Sequence, residues 1–446
     1  MAQGCEARTN RTYRGGLREA TTTLLPAREA LALLLPVTAC GKTRWTSLLL
    51  ALCAILVSWS DAPTLADRFE SARRCLLRWY PGRRRPGGSY QGFIAALRRH
   101  GPKLVRLIAA HYRGHVGRLA ADAGRWLVDG WPAFAVDSTK VDAPMTAANE
   151  RCLGCASRAG SWPQMVLTCV FHLGTGLPWS FARGHARSGE RRHLCRLLAT
   201  LPGRALLLAD AGFTGYDFWR QITGSGRSFL VRVGSNVRLI EGVAGVGAVR
   251  RYADGIVWVW PAERQKAGCP PLVLRLITLT DGRNRTMYLL SDVLEPQRLD
   301  DAAAARLYGL RWGVEVTFRA LKQTLGRRKL LSDAPRNARA ELSWAMIGLW
   351  TLLLIKARRC PPCLPGGQGV AAVLRVLRRA TAGACADVGV ALRRVKPDRY
   401  KRSRPKASRH WPHKKRPRPP GKPEARNATE AELSLAKELA AKGIAA

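Results

Sequence analysis

The chain has 446 residues, and its 74 lysines and arginines against 31 aspartates and glutamates give a net charge of +43. That charge predicts a polyanionic partner, of which nucleic acid is the commonest. The 47% of hydrophobic residues and the 14 tryptophans suffice for a packed core, which excludes a wholly disordered basic protein. No uninterrupted apolar run reaches the ~18 residues of a membrane span, and the N-terminus lacks the pattern of a secretory signal. We expect about two to three domains in a cytoplasmic protein that associates with the bacterial nucleoid and not with a membrane.

The twelve cysteines include two Cys-x-x-Cys pairs, Cys152/Cys155 and Cys360/Cys363. Each pair would supply two of the four ligands that a structural zinc site needs, but about two hundred residues separate the pairs. The spacing therefore favours loop cysteines over a zinc site without deciding between them.

The N-terminal third of the chain predicts helices. Residues 1–44 show no clear hydrophobic period and form an extension of unknown structure. In residues 45–128, apolar side chains such as Phe93, Leu97 and Leu104 recur at helical spacings, with arginines and lysines between them. This pattern predicts a basic, all-helical DNA-binding domain.

A mixed α/β pattern begins at residues 129–235. Residues 134–137 predict a short strand that ends at a carboxylate, Asp137, and residues 164–173 and 177–182 predict a β-hairpin. The apolar segment Ala-Leu-Leu-Leu-Ala-Asp, which ends at Asp210, predicts another strand with a carboxylate at its end.

Short alternating strands in residues 236–292 predict a β-rich insertion in this core. The core resumes in residues 293–358, where helices are predicted at 300–325 and 338–357. A C-terminal helical segment is expected at 359–392.

The last segment, residues 393–446, is a basic tail. Thirteen lysines and arginines and a single acid, Asp398, lie between residues 393 and 418. Such a segment cannot bury enough apolar surface to fold alone, so we expect it to be largely disordered, with a short helix at 429–442. Its predicted role is a non-specific, salt-sensitive grip on DNA.

Four residues of the predicted helix 300–325 share one face. Tyr308, Arg311, Glu315 and Lys322 fall within a stripe of about 60° at the helical period. A carboxylate with flanking cations suits a site that cuts phosphodiesters, because the acid holds a metal ion and the cations bind phosphates. The alternative is a solvent-exposed ion pair between Arg311 and Glu315.

Two further acids strengthen the metal-site interpretation. Asp137 and Asp210 each end a predicted strand, where α/β sheets present reactive groups. If they converge with Glu315, the three carboxylates repel one another unless a cation neutralises them, and their oxygens suit Mg²⁺, with Mn²⁺ as a substitute. Two such ions would activate a water or a 3′-hydroxyl and stabilise the departing oxygen. Asp142 and Asp217 are the alternative ligands.

The sequence resembles the DDE transposases of bacterial insertion sequences, specifically the insertion-sequence-four group. The resemblance rests on three segments: FAVDSTKVDAP around Asp137, LLLADAGFTGYDFW around Asp210, and LYGLRWGVEVTFRALK, which carries the Y-R-E-K signature of that group. It covers about residues 88–360.

The resemblance implies an α/β fold, an RNase H-like mixed sheet flanked by helices. A β-rich insertion would precede the last catalytic helix, and an all-helical domain would lie at the N-terminus. It also implies roles for six residues: Asp137, Asp210 and Glu315 as the catalytic metal ligands, and Tyr308, Arg311 and Lys322 as contacts to DNA phosphates. In related enzymes a tryptophan of the insertion stacks on a flipped base, for which Trp258 or Trp260 are the candidates; core packing is the alternative role for either.

The function that the resemblance implies is cut-and-paste DNA transposition. The partners would be double-stranded DNA, namely the terminal inverted repeats of the element and the target DNA, with a homodimer in the synaptic complex. Two alternatives stay open at this stage. One is a decayed or domesticated transposase-derived DNA-binding protein, and the other is an RNase H-like metal-dependent nuclease without a joining step.

Overall fold

The computed structural model describes nine stretches of the chain: residues 16–32, 45–81, 85–155, 162–243, 255–280, 285–359, 369–385, 387–395 and 421–442. The candidate zinc pair at residues 360 and 363 lies outside them. Cys152 is exposed and Cys155 is half-buried, and neither forms a disulfide.

The described helices and strands alternate through most of the chain. The helices are α1 Leu17–Thr22, α2 Arg28–Ala32, α3 Ser47–Trp59, α4 Leu65–Trp79, α5 Tyr90–Asp122, α6 Ala147–Leu153, α7 Glu190–Leu198, α8 Tyr216–Gly224, α9 Ala262–Lys266, α10 Asp301–Leu310, α11 Gly313–Arg319, a π-helix Ala320–Thr324, α12 Pro335–Arg359, α13 Val370–Ala382, α14 Val388–Arg393 and α15 Glu430–Ala441. The strands are β1 Ala133–Asp142, β2 Gln164–His172, β3 Leu177–His185, β4 Leu206–Ala209, β5 Ser228–Val233, β6 Arg238–Glu241, β7 Ile256–Val259, β8 Leu272–Thr280, β9 Thr286–Ser291 and β10 Glu424–Asn427.

Ten strands form one continuous sheet in the order β10-β6-β7-β8-β9-β5-β4-β1-β2-β3. The strands β1, β2 and β3 are antiparallel neighbours, whereas β4 and β5 continue the sheet parallel to β1. The helix α7 connects β3 to β4, and α8 connects β4 to β5. This order and these directions are the RNase H-like arrangement, so the predicted fold class is confirmed.

The first strand is longer than the sequence predicts. Residues 134–137 are only its first half, and β1 continues to Asp142 because Ser138 to Asp142 pair with β2. The prediction that Asp137 ends a strand is therefore wrong, and its carboxylate projects from the middle of β1. Residues 138–142 are mainly polar and mostly half-buried at the edge of the core. Their hydrophobicity therefore does not indicate a strand.

The segment 236–292 is β-rich, but its strands extend the core sheet. Strand β9 pairs antiparallel with β5, from Leu230 opposite Ser291 to Val233 opposite Tyr288. The insertion and the core therefore share one hydrogen-bonded sheet and one hydrophobic cluster.

The helices α3, α5 and α12 form a layer that packs beside the sheet. Trp59 Nε1 of α3 donates a 2.9 Å hydrogen bond to the carbonyl oxygen of Gly348 in α12, and Tyr112 Oη of α5 lies 2.7 Å from Thr351 Oγ1. The segment Pro335–Arg358 is long and apolar enough to cross a membrane, but 78% of its apolar window is buried inside the protein. Packing within the fold therefore accounts for the composition of α12.

The C-terminal end of the chain is more ordered than predicted. The helix expected at 429–442 is present as α15, and β10 before it adds in parallel to β6 at the edge of the sheet. Glu432 of α15 accepts hydrogen bonds from Arg426 of β10 and from Gln265 of the insertion. These bonds link α15, β10 and the insertion. The expectation of a largely disordered tail is therefore wrong for residues 421–442, whose partner strand could not be inferred from composition; residues 396–420 lie outside the described part of the chain.

Glu432→Gln is expected to loosen β10 and α15 without unfolding the core. The Arg426 guanidinium lowers the pKa of the Glu432 carboxyl to about 2, so this contribution to stability is complete above the ordinary glutamate pKa and is lost as the pH falls towards 2. Arg426 is half-exposed, and solvent screening leaves about 1 kcal/mol. Hydrogen exchange at pH 7 should show about fivefold faster opening of β10. Glu438→Gln is the matched control, because Glu438 pairs with Lys442 on the exposed face of the same helix; equal effects of the two variants would contradict the prediction.

Candidate active site

The first candidate ligand, Asp137, lies on β1, the middle strand of the β3-β2-β1-β4-β5 part of the sheet. Its strand is fully buried up to Val136, and its Oδ1 accepts a 2.7 Å hydrogen bond from the Ser138 backbone N–H. The pKa of the Asp137 carboxyl is raised to about 6, mainly by burial and also by the charges of Asp210 and Glu315; the Ser138 hydrogen bond and the charge of Arg311 oppose the shift. The side chains of Asp137, Asp210, Glu315 and Arg311 are therefore close enough for their charges to affect one another.

The second candidate ligand, Asp210, directly follows β4, as the apolar strand pattern predicts. Its Oδ1 accepts a 3.0 Å hydrogen bond from the Gly212 backbone N–H. Asn236 Nδ2 holds the following loop through the Ala211 carbonyl and the Thr214 hydroxyl, each at 3.2 Å. Because β4 is parallel to β1 and adjacent to it, Asp210 emerges beside Asp137.

The third candidate ligand, Glu315, lies on a helix that the sequence analysis described incorrectly. The predicted single helix 300–325 is broken at Arg311 and Trp312 and ends in a π-helical turn. Gly313 packs closely on the sheet, because a Cβ at that position would lie 2.9 Å from Phe171 of β2. The 60° stripe is therefore wrong as a description of one regular helix, although α11 still packs against β1 and β2.

Glu315 is paired with a cation of the same signature. Arg311 Nη2 donates a 3.0 Å hydrogen bond to Glu315 Oε1, and the two side chains are 12% and 31% exposed. The pair is thus half-buried rather than a solvated surface contact. Its position next to Asp137 favours the functional interpretation over the exposed ion pair.

Two buried polar atoms of the signature residues have no hydrogen-bond partner within normal geometry among the described residues: Tyr308 Oη and Arg311 Nε. The Arg311 guanidinium lies 5.5 Å from the centre of the Tyr308 ring. Buried donors of this kind are costly unless a ligand satisfies them. The arrangement therefore suits an oxygen-rich ligand that enters the site.

Lys322 lies in the π-helical turn. Burial lowers the pKa of its ammonium, and the charges of Asp142 and Asp137 oppose that shift. Arg311 and Lys322 therefore both lie near Asp137, and Tyr308 lies near Arg311 and Asp210. Asp142 lies at the end of β1 and accepts a hydrogen bond from Gln164, whereas Asp217 pairs with Arg264 at 2.5 Å.

The two tryptophans of the insertion do not lie in this site. Trp258 and Trp260 are 1% and 4% exposed, and Trp260 Nε1 donates to the Cys269 carbonyl. Neither ring is available for a DNA base, so the structure shows the core-packing alternative for both. Trp312, which is 55% exposed, lies between Arg311 and the helix that carries Glu315.

Sequence reasoning also missed Glu190, the first residue of α7. Glu190 Oε2 and Asp210 Oδ1 both lie within 4 Å of the position that a Cβ on Gly212 would take. Burial raises the pKa of the Glu190 carboxyl, and the charge of Asp210 adds to that shift. The packing of α7 against the loop after β4 creates this proximity, and no motif spacing signals it.

The present side-chain positions do not form a closed metal site. Among the residues that the structure describes, no group of three or more His, Cys, Asp or Glu side chains is arranged to hold a metal ion. The Glu315 carboxylate instead accepts a hydrogen bond from Arg311. Carboxylate oxygens are nevertheless the ligand type that Mg²⁺ prefers, and a divalent cation would offset the charges of Asp210 and Glu315, which add to burial in raising the pKa of Asp137.

The fold and this site define a class: RNase H-like proteins with two sheet aspartates and one helical glutamate at the centre. Comparison with known proteins agrees with it, because residues 131–351 match the family model described as the Transposase DDE domain. Transposase InsG for insertion sequence element IS4, from Escherichia coli (strain K12), is 23% identical over 287 residues, which cover 61% of this chain and 62% of InsG. The chain belongs to the DDE transposases of the IS4 type. Members of this family use divalent metal ions.

Two more comparisons complete this result. The putative transposase y4zB of Sinorhizobium fredii (strain NBRC 101917 / NGR234) is 29% identical over 164 residues, which cover 34% of this chain and 43% of y4zB. The chain therefore spans less than two thirds of the length of either relative. A cryo-EM structure of the piggyBac transposase synaptic complex with hairpin DNA aligns over 80% of this chain and 76% of that chain, with 11% identity and a TM-score of 0.41.

Proposed function

We propose that the protein is a DNA transposase that cleaves the ends of its element and joins the freed 3′-hydroxyls to target DNA. The observation that carries this proposal is the common neighbourhood of Asp137, Asp210, Glu315 and Arg311 at the centre of an RNase H-like sheet. A homodimer would hold two element ends together in the synaptic complex.

Asp137, Asp210 and Glu315 would hold the metal, for which we propose two Mg²⁺ ions, with Mn²⁺ as a substitute. Bound there, the ions would activate a water or 3′-hydroxyl and stabilise the departing oxygen. The chain itself has to release Glu315 from Arg311, since their hydrogen bond engages the carboxylate. A DNA phosphate is a suitable replacement partner for Arg311, because guanidinium binds phosphate oxygens with two parallel hydrogen bonds.

The remaining signature residues would position the phosphodiester. Tyr308 Oη and Arg311 Nε are buried and make no hydrogen bond of normal geometry in the described part of the chain, although the two side chains interact with each other; a phosphate oxygen would satisfy both atoms. The Lys322 ammonium, half-buried near Asp137, would offset phosphate charge from the opposite side. These contacts orient the scissile bond over the carboxylates, which lowers the barrier by fixing the geometry of attack.

The test uses the full chain and a duplex that carries the terminal inverted repeat flanking its reading frame. With Mg²⁺, we expect cleavage that leaves 3′-hydroxyl ends and, after addition of a plasmid, joined products; with EDTA, neither should form. Cleavage without joining would support the metal-dependent nuclease instead. Binding without cleavage would support the decayed or domesticated DNA-binding protein, and the absence of both would overturn the proposal.

Trp312 is proposed as the aromatic contact to DNA in place of the two buried tryptophans. Its ring is exposed next to Arg311, and stacking of a base on an aromatic side chain contributes about 1–3 kcal/mol. Trp312→Ala should therefore weaken binding of an element end with unpaired bases by about 5- to 100-fold. Fluorescence anisotropy measures this loss.

Trp312→Phe is the control for the aromatic contact, since it keeps a ring for stacking and should bind within a few-fold of wild type. With fully paired DNA, the binding affinities of Trp312→Ala, Trp312→Phe and wild type should differ less. Equal binding by the alanine variant and wild type would remove Trp312 from the DNA contacts.

A further inference from the structure

A basic cleft lies next to the candidate active site, between the first turns of α7 and α8. Its volume is about 310 Å³, and its lining includes Arg191 and Arg192 of α7, Gly215 and Tyr216 at the start of α8, and Gln221 further along α8. None of the signature residues lines it.

The charge of the cleft is positive. Asp217 also lines it, but its Oδ2 accepts a 2.5 Å hydrogen bond from Arg264 Nη2, so its charge is paired. Arg192 is exposed and makes no hydrogen bond or ion pair among the residues that the structure describes. The arginine pair is therefore the main uncompensated charge in the cleft.

The backbone holds one of these arginines in place. Arg191 Nη1 donates a 2.5 Å hydrogen bond to the carbonyl oxygen of Thr214. Gly215 leaves room for the guanidinium, because a Cβ there would lie 2.9 Å from Arg191 Nη1. Its φ of 142° also disfavours any other residue. The cleft is thus preorganised before any ligand binds.

The cleft and the candidate active site lie at opposite ends of one loop, residues 210–215. Asp210 begins the loop and Gly215 ends it, so at most about 18 Å separates their Cα atoms. Glu190, which precedes the two arginines, lies beside Asp210 at the other end. At ~3.4 Å of helix axis per nucleotide of one strand, a strand that crosses the carboxylates reaches the cleft within about five nucleotides.

We propose that this cleft is a subsite for a backbone phosphate of the DNA on which the catalytic carboxylates act, and that Arg191 and Arg192 bind that phosphate. Two guanidinium groups on the first turn of a helix, one of them held by a backbone carbonyl, suit a phosphodiester better than a neutral ligand. The subsite rests on the proposed function for the identity of its ligand, but it adds a contact that the signature residues do not provide.

Arg192→Gln tests the subsite, with Arg196→Gln as the matched control. Both arginines are exposed on α7, and only Arg192 lines the cleft. In a titration of the full chain with the element-end duplex, Arg192→Gln should reduce the slope of log affinity against log salt by about 0.9, the value for one lost phosphate contact. Arg196→Gln should leave the slope unchanged.

A second measurement locates the phosphate. Single methylphosphonate substitutions, which remove one phosphate charge, are placed at each of the five positions on either side of the cleaved bond. At one position the substitution should weaken wild-type binding more than it weakens binding by Arg192→Gln, where only the Arg191 contact is left to lose, since a double-mutant cycle reveals a shared contact. Equal slopes for the two arginine variants, or full additivity at every position, would overturn the subsite. Loss of cleavage by wild type, with these binding results intact, would overturn the proposed function instead.

Discussion

Asp137→Asn is expected to lower the rate of Mg²⁺-dependent cleavage of element ends by at least about 100-fold. The change removes a negative charge from the centre of the three carboxylates, and metal sites are sensitive even to changes outside the ligands themselves. Asparagine keeps an Oδ1 that accepts from the Ser138 N–H, so the local strand geometry should persist. Binding of the DNA end should change far less than cleavage, because the cations are retained.

Asp292→Asn is the control for this loss. Burial raises the pKa of the Asp292 carboxyl to about 6, as for Asp137, and its Oδ1 accepts a 2.7 Å hydrogen bond from the Phe229 N–H. Phe229 is at the beginning of β5, at the end of the sheet opposite the site. Cleavage by Asp292→Asn should stay within a few-fold of wild type. If both variants cleave equally, the assignment of Asp137 is wrong.

The sequence predicted the sheet well wherever apolar residues alternate or run together. Strands β2 and β3 begin at the predicted residues, 164 and 177, because their burial is encoded in their own composition. Strand β1 was predicted too short, since its polar half is fixed by pairing with β2 and not by its own hydrophobicity. Strand β10 was not predicted, because it too is fixed by pairing: its four residues are exposed, and its partner β6 lies far away in the sequence.

The candidate site was predictable from residue type and spacing, but its geometry was not. The helical period placed Arg311 and Glu315 together, and they are hydrogen-bonded. The break at Arg311 and Trp312 and the close approach of Gly313 to Phe171 are tertiary features that a helical pattern does not contain. Trp312 is exposed, whereas Trp258 is buried in the extended sheet. Aromatic residues are equally compatible with both roles until the fold is known.

The same substitution that removes cleavage should make the metal-free protein more stable at neutral pH. The pKa of Asp137 is about 6 in the folded protein, against 3.8 ordinarily. The folded state therefore binds this proton more tightly than the unfolded state, so stability falls as the pH rises from about 4 to above 6. Ionisation of Asp137 costs about 3 kcal/mol above pH 7, and asparagine does not incur that cost. Chemical denaturation should show Asp137→Asn more stable by up to this amount at pH 8 and equal to wild type below pH 4.

Metal ions separate this effect from ordinary burial of a carboxylate. Asp292→Asn should show a similar gain at pH 8, because the pKa of Asp292 is raised to the same value. Mg²⁺ that binds only the folded state should stabilise wild type and Asp292→Asn alike, and should have little effect on Asp137→Asn. Equal stabilisation of all three proteins by Mg²⁺ would show that the ion binds elsewhere. If Mg²⁺ fails to stabilise only Asp137→Asn, the Asp137 carboxylate both destabilises the metal-free folded state and binds the ion. This conclusion does not depend on any assay of cleavage.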